Sequence, residues 1–327
     1  MKKFICSISI ILILIFVMFE ILTSSETIME TIGFSFNIWK NNIFPSLFPF
    51  FVLSELLINY GFIELIGELF KPIMNKLFKL KGKCAFVFIM SLLSGFPSNA
   101  KYTRELYLDG TINQYEGTKL LTFTHFSNPL FILGTISILF LNNKEIGLLI
   151  LITHYLGNIF IGFIFRNYYI SKRDTAKVSF KKALFNMHNK RISNGKTFGE
   201  IVSNALTNSI NTLLLIFGVV TLFLIVTTII DNNINIPKYY QSIINGIIEM
   251  TQGLKYVSLL DIPLKIKGTL SVFIISFGGL SVHMQIISIL SDTKIKYFPF
   301  LVARIIHAFV SSFLFFILFD IWAIYFY

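Results

Sequence analysis

Two short stretches place hydrogen-bonding side chains and pliable backbone inside apolar runs: Ser94-Gly95-Phe96-Pro97-Ser98-Asn99-Ala100-Lys101 and Gly278-Gly279-Leu280-Ser281-Val282-His283-Met284-Gln285. They align without a gap, and each follows roughly ten apolar residues. Gly, Pro and Ser at these points interrupt a helix, and in a bilayer only protein or enclosed water can satisfy the freed N–H and C=O groups. Ser94, Ser98, Asn99, Ser281, His283 and Gln285 add hydroxyl, amide and imidazole groups suited to a polar organic solute. Interrupted segments at matching places in two halves of a chain are the sequence mark of a transporter binding site. The plainer alternative is a pair of kinked helices packed on small residues.

A third interruption stands at His125-Phe126-Ser127-Asn128-Pro129, where the residue before proline is pushed out of the helical region. Asn128 either contacts a ligand or caps the helix that Pro129 begins. His154 and Asn158 lie four residues apart on one helical face, and Arg304 with His307 repeats that pairing in the last apolar span. Such groups face a bundle interior or a wet cavity. They either bond neighbouring helices or, for His154 and His307, line a polar cavity or take protons during a transport cycle. Arg304 requires Glu55, Asp320 or a cluster of backbone carbonyls as its partner, unless it snorkels to the interface.

The elements that position these residues are membrane helices. The chain is 54% hydrophobic with 37 Phe and only 14% charged residues, and its mean hydropathy is +0.73. That composition excludes a soluble globular chain. About eight apolar stretches approach the length needed to span a bilayer. They cover residues 4–22, 43–60, 84–93 (broken), 120–141, 146–165, 210–230, 270–277 (broken) and 298–319. Residues 64–80 and 241–260 mix charge with aliphatic side chains and read as interfacial helices. Met1-Lys2-Lys3 and the apolar run after it resemble a signal sequence, but the cleavage pattern is poor, so an uncleaved first helix is expected.

Lys71, Lys76, Lys79, Lys81 and Lys83 place the loop after the second span inside. The most basic loop, with Lys172, Arg173, Lys177, Lys181, Lys182, Lys190, Arg191 and Lys196, falls outside if residues 84–101 cross fully. It returns to the cytoplasm if that segment dips in, breaks at Gly95-Phe96-Pro97 and comes back. The second half then starts from the other side. The expected fold is therefore an all-α polytopic membrane protein, an inverted repeat containing two re-entrant or broken helices, and this counting leaves the side of the C-terminus open. Its parts are an anchor helix and loop (1–40), a first repeat (41–166), a basic cytoplasmic connector (167–200) and a second repeat (201–327).

The net charge of +11 resides in short loops rather than in a basic stripe, so no nucleic-acid partner is expected. Cys6 and Cys84 form no CxxC motif or disulfide framework. The histidine spacing lacks HExxH and argues against a metal site, and no GxSxG elbow marks a hydrolase. Neither a catalytic residue nor a cofactor is expected, and no ATP-binding motif is present.

Ile43-Phe44-Pro45-Ser46-Leu47-Phe48-Pro49-Phe50, Ser94-Gly95-Phe96-Pro97, Ser127-Asn128-Pro129-Leu130-Phe131-Ile132-Leu133-Gly134, His154-Tyr155-Leu156-Gly157 and Gly279-Leu280-Ser281-Val282-His283 together resemble the YlbJ family, from Asn41 onward. The resemblance implies a sporulation integral membrane protein with a nucleoside-recognition or Gate domain, needed for spore cortex formation. It places the chain in the mother-cell or outer forespore membrane, with the bilayer, a small polar solute and other sporulation membrane proteins as partners. Similarity of the Gate domain to parts of nucleoside and ferrous iron transporters implies a solute conduit. A scaffold for envelope-building enzymes, docking through the connector, is the alternative. Asn99 stands where relatives often carry Gly.

Overall fold

The computed structural model describes residues 2–172 and 177–326. Met1 and Arg173, which the sequence reading used, lie outside the described residues. Every regular element among the described residues is helical. Six helices are long and apolar enough to cross a membrane, and Cys84–Ser94 and Phe131–Phe140 are shorter apolar helices.

Helix α1 (Lys2–Thr23) is apolar on all sides and presents nearly its whole surface outward, as a lipid-facing helix must. Helix α2 (Ser25–Asn59) begins well before the expected position 43. Pro45 and Pro49 remove helical donors, and the turn Trp39–Ile43 ahead of them widens to π geometry. It runs antiparallel to a later crossing, α10 (Phe198–Asn233). The two are joined by Thr31–Thr228 at 2.9 Å, Ser35–Thr221 at 2.7 Å and Trp39 Nε1–H donating to Leu213 O at 3.0 Å.

After left-handed Gly61, helix α3 (Phe62–Leu69) turns along the end of the bundle. Residues 80–112 then form a hairpin. Helix α4 (Cys84–Ser94) rises, breaks at Gly95-Phe96-Pro97, and α5 (Ser98–Leu108) returns beside it. The Phe86 and Tyr102 rings meet at 5.4 Å, and Lys81, before α4, donates to Thr111 O, after α5, at 3.0 Å. Helix α6 (Gln114–Phe123) starts on an Asn113/Glu116 capping box and ends at an extended stretch, after which α7 (Phe131–Phe140) completes a broken crossing. Helix α8 (Ile146–Ile164) crosses back.

The connector is not a free loop. Its helix α9 (Phe180–Ser193) packs on α3, with Met187 O against Gly61 and Asn194 Nδ2 donating to Asn59 Oδ1 at 2.9 Å. A Thr197/Glu200 capping box then launches α10. At the far end of α10, Asp231 accepts from Asn245 Nδ2 at 2.9 Å and from the Tyr256 hydroxyl at 3.0 Å. It thereby ties the end of α10 to both legs of a second hairpin, α11 (Lys238–Ile248) and α12 (Met250–Leu259), whose legs touch through Gly246 and Gly253. Helices α13 (Leu264–Phe277) and α14 (Gly279–Ile289) form a second broken crossing, and α15 (Phe298–Phe326) the last.

This corrects the expected pairing of the two breaks. The segment at Gly95 folds back, but the segment at Gly278 goes through. Lys265 on α13 pairs with Asp320 near the end of α15 at 2.7 Å, whereas Asp292, beyond α14, pairs with Arg104 of α5 at the connector end. The second hairpin is α11–α12, which the sequence reading laid on the interface. Each half thus reads hairpin, broken helix, unbroken helix, inserted from opposite ends, and α15 ends opposite the connector.

Candidate functional site

The tips and the breaks converge at mid-bundle. Gly95 adopts φ +79°, and a Cβ there would meet the Asn128 backbone, so only glycine lets the first tip lie against the first break. Phe96 N–H donates to Phe126 O at 2.7 Å across that contact. Asn128 accepts from Leu130 N–H at 2.7 Å, capping the second half of the broken helix, and donates to Ser94 O at 3.0 Å and Ser46 O at 3.2 Å. The capping role is therefore the one it performs. Ser94 and Ser98 hydroxyls lie 2.8 Å apart within the tip. The second tip touches the second break in the same way, with Met250 N and Gly246 O against Gly279.

His154, Asn158, Arg304 and His307 form one buried network that ties both broken helices to α8 and α15. His154 Nε2 accepts from Ser127 N–H at 2.9 Å, so the proton sits on Nδ1, which donates to Ser276 Oγ at 2.9 Å. His307 Nε2–H donates to His154 O at 2.9 Å, and its Nδ1 accepts from Arg304 at 2.8 Å. Asn158 donates to His125 O at 2.5 Å and accepts from Arg304 at 3.0 Å. Arg304 also donates to Thr122 O in the last turn of α6. Its partners are thus carbonyls, an amide and an imidazole rather than Glu55 or Asp320, and the negative end of α6 balances its charge. Arg304 is fully buried, which removes the snorkelling alternative. Both imidazoles are occupied by structural bonds.

His283 is likewise engaged, with Nε2–H donating to Phe277 O at 3.0 Å and Nδ1 accepting from the Tyr297 hydroxyl at 2.7 Å. It closes the C-terminal end of α13. Asn99 is buried, its amide has no hydrogen-bond partner among the described residues, and it does not line the central cavity described next. His125 is buried too, stacked on Phe96 at 4.7 Å with neither ring nitrogen bonded among the described residues.

A cavity of ≈ 40 Å³ lies where both tips and both breaks meet. Phe96 of the first tip, Ser127 and Asn128 of the first break, Glu249 and Thr251 of the second tip and Gln285 after the second break line it, with Ser46 of α2. Of the residues expected at a site, Asn128 and Gln285 reach this cavity. Ser281 approaches it indirectly, 3.4 Å from Glu249 Oε1, while Ser94 and Ser98 belong to the first tip. The sequence reading missed Glu249. This buried carboxylate caps α12, accepting from Gln252 N–H at 2.9 Å and from the Thr251 hydroxyl. A lone acid in the apolar run Ile247-Ile248-Glu249-Met250, flanked by Gly246 and Gly253, was the available signal, as was the Lys-Tyr pair that both return legs share at Lys101-Tyr102 and Lys255-Tyr256.

Further along α2, α10 and α14 towards the connector lies a wider polar vestibule of ≈ 400 Å³, lined by Glu55, Lys101, Glu105, Asn208, Asn211 and Ser288. Lys101 and Glu55 pair at 2.7 Å, with Lys101 also over the Phe51 ring at 5.2 Å. Phe51 and Leu213, both fully buried, occupy the stretches of α2 and α10 between vestibule and central cavity.

A family model described as Gate, nucleoside recognition, matches residues 42–223. The sporulation integral membrane protein YlbJ of Bacillus subtilis (strain 168) is 32% identical over 321 residues, covering 89% of this chain and 78% of that protein. The chain belongs to the YlbJ family. It is an integral membrane protein of that sporulation family with a Gate domain. The Gate match runs from α2 through the first hairpin, the first broken helix and the connector into α10, so it stops before the second tip and Glu249. No solved structure matches.

Proposed function

We propose that the protein is a conduit for a small polar solute, held between the two hairpin tips and released by alternating access. The observation that carries this reading is the convergence of two tips and two helix breaks, inserted from opposite ends, on one small cavity where Ser127, Asn128, Glu249 and Gln285 stand among apolar side chains. Among the described residues, Glu249 offers a carboxylate oxygen with only the long Ser281 contact, Ser127 Oγ has no partner, and the Gln285 side chain makes no hydrogen bond. The cavity has space for ordered water and not for an organic molecule, so this is a closed state. A tip must withdraw for a solute to enter, and the vestibule at the connector end lies in line with the first tip. The family description directs attention to nucleosides as the first solutes to screen, and the relative's name supports a role in sporulation, which we assign to building the spore cortex in the mother-cell membrane.

The test is uptake of a panel of labelled nucleosides and other small polar solutes into proteoliposomes, with the wild type beside Glu249→Gln and Gln285→Leu. Solute-dependent uptake that both substitutions reduce by at least tenfold, at unchanged protein levels, is the expected result. Absence of uptake for the whole panel, together with full spore cortex formation by both variants and its loss on deleting the connector helix, would instead establish the scaffold reading.

A further inference from the structure

A second, wider cavity stands apart from the proposed conduit. It measures ≈ 700 Å³ and lies at the connector end, between α3, the foot of α4 and α9. Five lysines line it, Lys71, Lys81, Lys83, Lys172 and Lys182, against two glutamates, Glu64 and Glu68. Lys71 pairs with Glu68 at 3.0 Å, Lys83 with Glu64 at 2.7 Å, and Lys81 with Glu116 at 3.0 Å. Lys172 and Lys182 have no carboxylate partner among the described residues, so the cavity keeps an excess of positive charge. Its floor is backbone: a Cβ on Gly82 would strike Gly67 O and lie 3.0 Å from Lys71 Cα, so Gly67 and Gly82 let the two segments close into a rigid cradle.

Helix α9 indicates where the cradle sits. Phe180, Leu184, Phe185 and Ile192 are exposed on it, with Lys181 interleaved among them and Lys182 and Lys190 to one side, while Arg191 lies over the Tyr60 ring at 4.9 Å. Large apolar side chains left exposed among lysines suit the boundary between headgroups and acyl chains, where a lysine stem lies along apolar surface and its ammonium reaches the headgroups. The concentration of Lys and Arg at this end assigns it to the cytoplasmic leaflet, where anionic headgroups are found. The geometry points to a binding site for a phosphate-bearing anion in this cradle, supplied by the headgroup of an acidic phospholipid. A doubly charged headgroup fits the two lysines left without carboxylates.

Full-length protein purified in a mild detergent provides the test, by native mass spectrometry and by thermal unfolding. The additives are cardiolipin, phosphatidylglycerol, phosphatidylcholine and, separately, sodium pyrophosphate. Retention of cardiolipin or phosphatidylglycerol over phosphatidylcholine is expected, with the half-saturating concentration raised on the order of tenfold in Lys172→Ala/Lys182→Ala and unchanged in Lys144→Ala, which is exposed and lies between α7 and α8. Protection by pyrophosphate equal to that of the acidic lipids, and equally lost in the double variant, would support the phosphate site and assign it to a soluble ligand. Equal retention of all three lipids, or no effect of the double variant, would overturn the proposal. Both lysines are exposed, so the variant should unfold at the wild-type temperature without lipid, and a Lys182→Glu reversal provides a second reading.

Discussion

Arg304→Met is the most discriminating perturbation of the buried network. The guanidinium makes three good hydrogen bonds, to Thr122 O, Asn158 Oδ1 and His307 Nδ1, in a site with no exposure. Methionine fills much of the volume but leaves three buried acceptors without donors. Hydrogen bonds between membrane helices are worth about 0.6–1.7 kcal/mol each, so the loss should be about 2–5 kcal/mol. Arg304→Lys keeps the charge but not the fork, and should recover part of the loss. Replacing Asn158 by Leu in the Arg304→Met background removes an acceptor together with its lost donor, so the double variant should be less destabilised than the two single losses added. The assay is equilibrium unfolding in mixed micelles, followed by tryptophan fluorescence through Trp39 and Trp322. A loss below about 0.5 kcal/mol for Arg304→Met would refute the structural assignment. So would full stability accompanied by abolished solute uptake, which would make Arg304 a ligand group.

Asn128→Ala should destabilise by about 1–3 kcal/mol, from a lost helix cap and from the undonated Ser94 and Ser46 carbonyls; Asn128→Ser, which keeps an uncharged capping oxygen, should cost less in the same unfolding assay. Gly95→Ala forces a Cβ into a left-handed position against the Asn128 backbone, and should cost about 1 kcal/mol or more and expose the first tip to a small maleimide in a cysteine-labelling experiment on a Ser98→Cys background. Charge exchange across the vestibule pair, Glu55→Lys with Lys101→Glu, should restore spore formation that either single change impairs; failure of the double variant to exceed the single ones would show that the pair is not a unit. The exposed Arg104–Asp292 bond holds the Asp292 carboxyl below the usual carboxylate range, so this contact should persist through neutral pH and be lost only on acidification, as carboxyl NMR shifts would report.

The sequence by itself determined that this is a helical membrane protein, where its apolar spans lie, that Gly95-Phe96-Pro97 and Gly278-Gly279 break them, and which end gathers the basic loops. These properties are local: apolar length sets spanning, glycine and proline release backbone, and lysine position sets orientation. Two matters were settled only by the folded chain. One is whether a break turns back or carries on. Gly95 and Gly278 look alike in sequence, and their outcomes diverge because residues remote in the chain hold the next segment, with Thr111 brought to Lys81 in one case and Asp292 to Arg104 in the other. The other is which polar side chains remain free. His154, Asn158, His307 and Asn128 have the chemistry of ligands, yet their bonds are taken by Ser127, Ser276, Arg304, Ser94 and one another. Glu249 has the composition of an interfacial residue but sits at the centre, because α11 and α12 pack through Gly246 and Gly253 and carry it there. A hydrogen bond needs its partner within about 3 Å, and partners more than a hundred residues apart meet only when the helices pack.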